Sequence, residues 1–175
     1  MKNSMRAWIA ASCLIATGSA AIAKPPAKAM AMVSDATGKM VAHAMFVQEK
    51  DGVRMTLMAN GLPPGVHGLH LHAIGKCEAP AFTSSGPHWN PTGKMHGMKN
   101  PAGPHEGDLP NLEIGSDGKG KAEALIAGAT LTEGTLSMTA KDGTSLMIHA
   151  GPDDYVTDPS GSSGSRIACG VVTLK

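Results

Sequence analysis

His70 and His72 sit two residues apart in an alternating apolar run, GVHGLHLHAIGKC. On a strand, residues i and i+2 share a face with Cα atoms about 6.6 Å apart, so both imidazoles can point at one metal ion. Downstream, GPHWNP carries His88 and MHGMKNPAGPHEGDL carries His96, His105 and Asp108. Residues 66–108 thus hold six of the eight histidines. Coil this rich in glycine and proline has no core-building reason to carry so many titratable side chains. A bound metal is an economical means of folding it.

His149 closes a buried-looking run and completes the candidate donors: six imidazoles and one carboxylate. That number exceeds one tetrahedral site, so two ions are implied. His96, His105 and Asp108 form a loop-borne set, and His70, His72 and His149 a strand-borne set. His88 lies between them in sequence and could serve either ion. Neutral imidazole suits zinc and copper alike, and a carboxylate suits the harder zinc. A zinc hydrolase draws on similar donors but also needs an open zinc position, usually with a carboxylate base beside it.

The elements that must position these donors are short. Glycine (22) and proline (12) are frequent and aromatics scarce in this 175-residue chain, which suits strands and turns better than long helices. Strands are predicted over 30–34, 40–50, 53–60, 66–74, 112–115, 121–126, 146–149 and 166–174, with a short one at 135–138 inside a connecting loop. Asp51-Gly52 is a hairpin signal. Short strands with regular turn signals predict one antiparallel sandwich or barrel domain. Two loops interrupt it, 75–107 and 151–165. A loop as long as the first needs a specific reason to be ordered.

Residues 1–23 read as a cleaved leader, with Lys2 and Arg6 in a basic n-region, an apolar run over 7–16 and Ala21-Ile22-Ala23 before the cut. The mature domain is then 24–175. Its 13 basic and 14 acidic side chains nearly balance and form no basic run, so neither nucleic acid nor a membrane is an expected partner. Two cysteines remain, Cys77 and Cys169, and in an exported protein they are expected to pair. Leader and disulfide together point to the periplasm.

GVHGLHLH, GPHWNP, the histidine–aspartate loop ending GDLPNL, and GSRIACGVV together resemble the copper/zinc superoxide dismutases of the bacterial exported type. The resemblance runs from about residue 30 to the end. It implies an all-β fold, an eight-stranded antiparallel Greek-key β-barrel with a long metal-binding loop and a second active-site loop. It implies copper on His70, His72, His88 and His149, zinc on His88, His96, His105 and Asp108, and His88 as the bridge. By the same resemblance His88 and Arg166 are the catalytic side chains, with Arg166 drawing in the small anion superoxide. Asp153 joins a copper histidine, His70, to a zinc histidine, His96. Cys77–Cys169 anchors the loop behind Arg166, and His67 braces the barrel. One copper and one zinc per subunit follow, in a monomer or a homodimer. The chemistry requires a metal that cycles by one electron, which copper does and zinc does not.

Several residues are left over. His43 reads as a surface residue, and the methionines, including Met95 and Met98 beside His96, read as flexible filler. Trp89 is expected to pack. The 151–165 loop has no lysine and carries Asp153, Asp154 and Asp158. Any long-range steering of an anion is therefore expected from Lys76, Lys94 and Lys99.

Overall fold

The computed structural model describes residues 25–175. The predicted leader, with Cys13 in it, lies outside the described residues.

Alternation builds the first sheet half. β1 (Lys28–Asp35), β2 (Met40–Glu49) and β3 (Gly52–Asn60) each bury every second side chain over most of their length. Ala29, Ala31 and Val33, then Ala44 and Phe46, then Val53, Met55 and Leu57 line the interior. A β-bulge interrupts the rule in β2. Val33 pairs with Ala42 and Ser34 with Met40, so Val41 is the extra residue. The remaining strands are β4 (Gly65–His67), β5 (Leu69–His72), β6 (Leu112–Ile114), β7 (Lys119–Ala127), β8 (Ser145–His149), β9 (Arg166–Val171) and β10 (Thr173–Leu174). Among the described residues there is no α-helix, only a 3₁₀ turn at Thr83–Ser85.

The strands pair antiparallel in the order β4-β6-β7-β3-β2-β1-β9-β8-β5, with β10 beside β1. The two ends of this path, β4 and β5, are consecutive in the chain and separated only by Gly68. One run therefore closes both ends of the sheet, and the result is a nearly closed barrel. Val172 likewise splits β9 from β10. With each split pair counted as one run, the barrel is eight-stranded, as expected. The non-sequential neighbours β3–β7 and β1–β9 mark the Greek-key crossovers.

All five residues of β8 are buried. One face joins the main core beside Leu69, Leu71 and Leu112. On the other, Met147 packs with Phe82 and Cys169. The Cys77–Cys169 disulfide, S–S 2.02 Å, staples the start of the long loop to β9 over that outer face.

The short strand expected at 135–138 does not form. That segment closes on its own loop, through Thr130 N–H to Leu136 O (2.9 Å) and Met138 N–H to Thr130 O (2.9 Å), while the Met138 side chain plugs the core.

Candidate metal centre

The long loop is ordered because it lies along β5. The Leu71 N–H donates to Gly107 O (2.8 Å), the Trp89 N–H to Leu71 O (2.8 Å) and the Gly107 N–H to Trp89 O (2.8 Å). Backbone bridges set His72 beside His88 and His70 beside Asp108. Two limbs of the loop are thus laid against the strand that carries the His70–His72 pair. Trp89 is buried in the main core and pins the turn behind His88.

Four imidazoles converge there. Among the described residues, five buried side-chain polar atoms have no hydrogen-bond partner. Four of them are His70 Nδ1, His72 Nε2, His88 Nε2 and His149 Nε2, and these four residues place ligand atoms within 4.8 Å of one another. The opposite nitrogens of three of these rings are occupied. His72 Nδ1 lies 2.8 Å from Gly86 O, His149 Nδ1 lies 3.1 Å from Gly164 O, and His70 Nε2 lies 2.8 Å from Asp153 Oδ2. A carbonyl or carboxylate oxygen only accepts, so each of those nitrogens carries the proton and each unpartnered nitrogen presents a lone pair. Four buried lone pairs aimed at one point are costly unless a cation takes them up.

The fourth ring, His88, faces both ways. Its Nδ1 lies 3.0 Å from Asp108 Oδ1, as does His96 Nδ1, with His105 Nδ1 at 3.2 Å. A tetrahedral zinc with bonds of about 2.0–2.1 Å sets its ligand atoms roughly 3.3 Å apart, so this group fits zinc. His70 also comes within range of this second group. Its Nε2 is committed to Asp153, however, and its Nδ1 to the first cluster, so His105 completes the fourfold set around Asp108. The backbone N–H groups of Gly97 (2.8 Å) and His105 (3.0 Å) hold the other carboxylate oxygen, Asp108 Oδ2.

Asp153 joins the two groups, with Oδ2 on His70 and Oδ1 3.0 Å from His96 Nε2. Its own backbone is held by Asn111, the residue before β6. Asn111 Nδ2 donates to Asp153 O and Asn111 Oδ1 accepts from Asp153 N–H, both at 2.9 Å. Gly161, at φ +63°, passes so close that an added Cβ would overlap the Asp153 carboxylate and press on His96 Nε2. The remaining acids of this loop are spent on backbone N–H groups, Asp154 on its own loop and Asp158 on the long loop. Asp154 accepts from the N–H groups of Val156 and Thr157, and Asp158 accepts from His96 N–H at 2.7 Å.

Arg166, at the start of β9, is clamped by the long loop. Its Nη1 donates to Phe82 O (2.8 Å) and Ser85 Oγ (3.0 Å), and its Nη2 to Gly86 O (2.8 Å). Gly86 O also receives His72 Nδ1, so one carbonyl ties the guanidinium to an imidazole of the first cluster. Burial lowers the Arg166 pKa from its ordinary value. An arginine nonetheless stays charged and keeps unused N–H donors for an anion.

Burial also keeps the imidazoles neutral. It lowers His72 to about 2, His149 to about 3 and His88 to about 4, the last against the opposing pull of Asp108. Asp108 and Asp153 are lowered too, which for a carboxyl favours the charged form. Burial raises each, but hydrogen bonds from His88 and Gly97 to Asp108, and from His70 and Tyr155 to Asp153, hold both carboxyls below their ordinary value. Neutral imidazoles beside anionic carboxylates are the donor forms that metals require.

His67 lies apart from both clusters, with Nδ1 2.8 Å from His149 O and Nε2 2.9 Å from Pro63 O. Two of the three lysines expected to steer an anion have local partners. Lys94 Nζ lies 3.5 Å from Glu106, and Lys99 Nζ lies 5.3 Å above the Tyr155 ring. Sequence reasoning missed Asn111, Ser85 and Gly161. Asn111 lies within the GDLPNL motif but carries no sign of its partner, and nothing in the local context of Ser85 and Gly161 sets them apart from ordinary turn residues.

A family model for copper/zinc superoxide dismutase matches residues 40–172. The chain is 42% identical over 147 residues to superoxide dismutase (Cu-Zn) 2 of Aquifex aeolicus, covering 83% of this chain and 86% of that protein. It is 37% identical over 147 residues to the Cu-Zn superoxide dismutase of Caulobacter vibrioides, covering 82% and 84%. Among solved structures it resembles a SOD-like protein from Bacillus subtilis, with TM-score 0.78, 38% identity and coverage of 82% and 97%. It also resembles the Cu/Zn superoxide dismutase from Brucella abortus, with TM-score 0.66, 27% identity and coverage of 83% and 99%. The matched span runs from β2 through the histidine-bearing loop to Val172 just beyond β9, so barrel and site are matched together, and the chain belongs to the copper/zinc superoxide dismutase family.

Proposed function

We propose that His70, His72, His88 and His149 hold copper, that His88, His96, His105 and Asp108 hold zinc, and that the His88 ring is shared between them. The observation that carries this is the double engagement of His88. Nδ1 sits in the carboxylate-centred group, and Nε2 is a buried, unpartnered donor among three others. The reaction is dismutation of superoxide to dioxygen and hydrogen peroxide, with copper and zinc as cofactors.

Bound copper supplies the one-electron couple, and bound zinc supplies fixed positive charge at the far nitrogen of His88. The chain's own residues do the rest. Arg166 attracts the superoxide anion and orients it beside the first cluster, its guanidinium fixed by Phe82 O, Ser85 Oγ and Gly86 O. Forming peroxide consumes two protons. His88 Nε2 would carry one of them when its lone pair is not serving as a metal donor, and solvent would bring the other. Asp153 holds His70 and His96 in the tautomers that leave both Nδ1 atoms free as donors.

Bacterial relatives and the Cys77–Cys169 disulfide fit an exported protein. We place it in the periplasm, with residues 1–23 removed as a signal peptide and 24–175 as the mature domain.

Superoxide consumption by the copper- and zinc-loaded protein tests the assignment. Fast consumption that disappears on copper removal and in His149→Ala is expected. Inactivity at full copper and zinc occupancy would overturn it.

A further inference from the structure

The metal centre leaves two histidines unused: His67, whose two ring nitrogens lie against His149 O and Pro63 O, and His43. His43 is exposed on β2, and among the described residues its ring makes no hydrogen bond to a neighbouring side chain or backbone group. Register gives it unusual company. Met32 of β1 is its partner on one side and Met58 of β3 its partner on the other. Directly opposed residues on a sheet face have Cβ atoms about 4.5–5.5 Å apart, so the two thioethers flank the imidazole. The β2 bulge brings Met40, three residues before His43, out to the same face, and Met40, His43 and Met58 line one surface depression. Met32, Met40 and Met58 are 47%, 55% and 52% exposed.

This composition is not explained by packing. Strands favour β-branched and aromatic side chains, and methionine is not among those enriched. Elsewhere on the same face stand Arg54, Thr56, Lys121 and Glu123, with the partly buried pair Met30 and Met45 one row along. Here methionines surround a single histidine. Thioether sulfur is a soft, neutral donor that selects Cu(I), and imidazole complements it. Methionine's three rotatable bonds let the sulfurs close on an ion without moving the sheet. The charges nearby also favour a monovalent ion over a divalent one. Lys121, opposite Met58, has its Nζ drawn 2.6 Å from Glu123, and Lys119 in the depression has its Nζ 3.6 Å from Asp117. The site itself holds no carboxylate.

We propose that the outer face of β1–β2–β3 carries a second metal site, for Cu(I), with the His43 imidazole and the thioethers of Met32 and Met58 as ligands and Met40 as an adjacent reserve donor. It lies on the strands remote in sequence from the active-site loops, is open to solvent, and requires no rearrangement of the barrel.

The test uses the copper- and zinc-loaded protein with its disulfide intact, so that the active-site donors are already occupied. Ag(I), a redox-inert analogue of Cu(I), is titrated against a competing chelator. One additional Ag(I) per chain is expected. Its affinity should fall at least tenfold in Met32→Leu/Met58→Leu and in His43→Gln, while dismutase activity and zinc content stay unchanged. Leucine keeps the volume and apolarity of methionine, so folding is not at stake. Met95→Leu/Met98→Leu, which removes the other exposed methionine pair, should leave the extra ion in place. In the reduced, diamagnetic protein, Ag(I) should shift the ε-methyl signals of Met32 and Met58 and not those of buried Met55, Met138 and Met147. No additional ion, an affinity unchanged by the strand variants, or loss of the ion only with Met95 and Met98 would each overturn the proposal.

Discussion

His70 is held by Asp153 from the side away from the cluster: Nε2 to Oδ2 is 2.8 Å, both side chains are fully buried, and His70 Nδ1 is left unpartnered toward His72, His88 and His149. The same carboxylate reaches His96 through Oδ1. An anion that accepts from two imidazoles fixes two tautomers at once. Asp153→Asn removes that symmetry, because one end of an amide is a donor and faces an N–H. One ring must then turn or change tautomer. Metal affinity is expected to fall about 10–100-fold with the barrel and disulfide retained. Chelator competition for copper and zinc on the purified variant measures it, and unchanged affinity for both metals would count against the role given to Asp153.

Gly161 guards that pair from the loop side. At φ +63° an alanine is strained, and its methyl group would overlap the Asp153 carboxylate. Gly161→Ala should cost about 1–3 kcal/mol of stability and loosen zinc more than a surface Gly→Ala does. Calorimetric unfolding of the metal-free and loaded forms separates the two effects. A variant that is as stable as the parent and equally metal-tight would show that the loop yields there.

The disulfide acts on Arg166 through the loop. Cys77 begins the segment whose Phe82, Ser85 and Gly86 oxygens hold the guanidinium, and Cys169 lies three residues beyond Arg166 on β9. Closing a 92-residue separation is worth about 4–5 kcal/mol in the chain-entropy model. Cys77→Ser/Cys169→Ser should lose stability of that order. It should also lose kcat/KM toward superoxide at full copper occupancy, because the cation is no longer fixed. Normal kcat/KM in a copper-replete double variant would show that the Arg166 clamp stands without the staple.

What was legible in the sequence followed from spacing. His70 and His72 alternate with leucines, so a strand put them on one face. His149 ended an apolar run, and the turns at Asp51-Gly52 and around Gly118 delimited β3 and β7. What stayed hidden depends on distant partners. Asn111 braces Asp153 across 42 positions, and Ser85 meets Arg166 across 81. The long loop owes its order to backbone bonds along β5 as well as to the disulfide and the donor side chains, and backbone groups leave no signature in residue type. The 135–138 segment has strand-like residues but no strand edge beside it, so its N–H groups bond within the loop. His43 read as an ordinary surface residue because the methionines around it come from neighbouring strands, which only the register reveals.

Acid should destabilise the metal-free chain in a defined window. Unfolded, each imidazole titrates near about 6.5, whereas burial in the fold lowers His72 to about 2, His149 to about 3 and His88 to about 4. Between those values and 6.5 the unfolded chain binds more protons than the folded one, so stability falls as pH drops and levels off only below the folded values. Asp108 and Asp153 add a contribution of the same sign at lower pH. Their folded pKa values lie below the ordinary 3.8, so the stability they lend is present above that value and is lost as pH falls through the folded ones. With metals bound, protons compete for the same lone pairs, and acid releases metal before it unfolds the barrel. Urea unfolding midpoints of the metal-free protein should therefore decline steadily between about pH 7 and about pH 4. A midpoint that held constant or rose over that range would mean the three imidazoles are already accessible to protons in the fold, contrary to their burial.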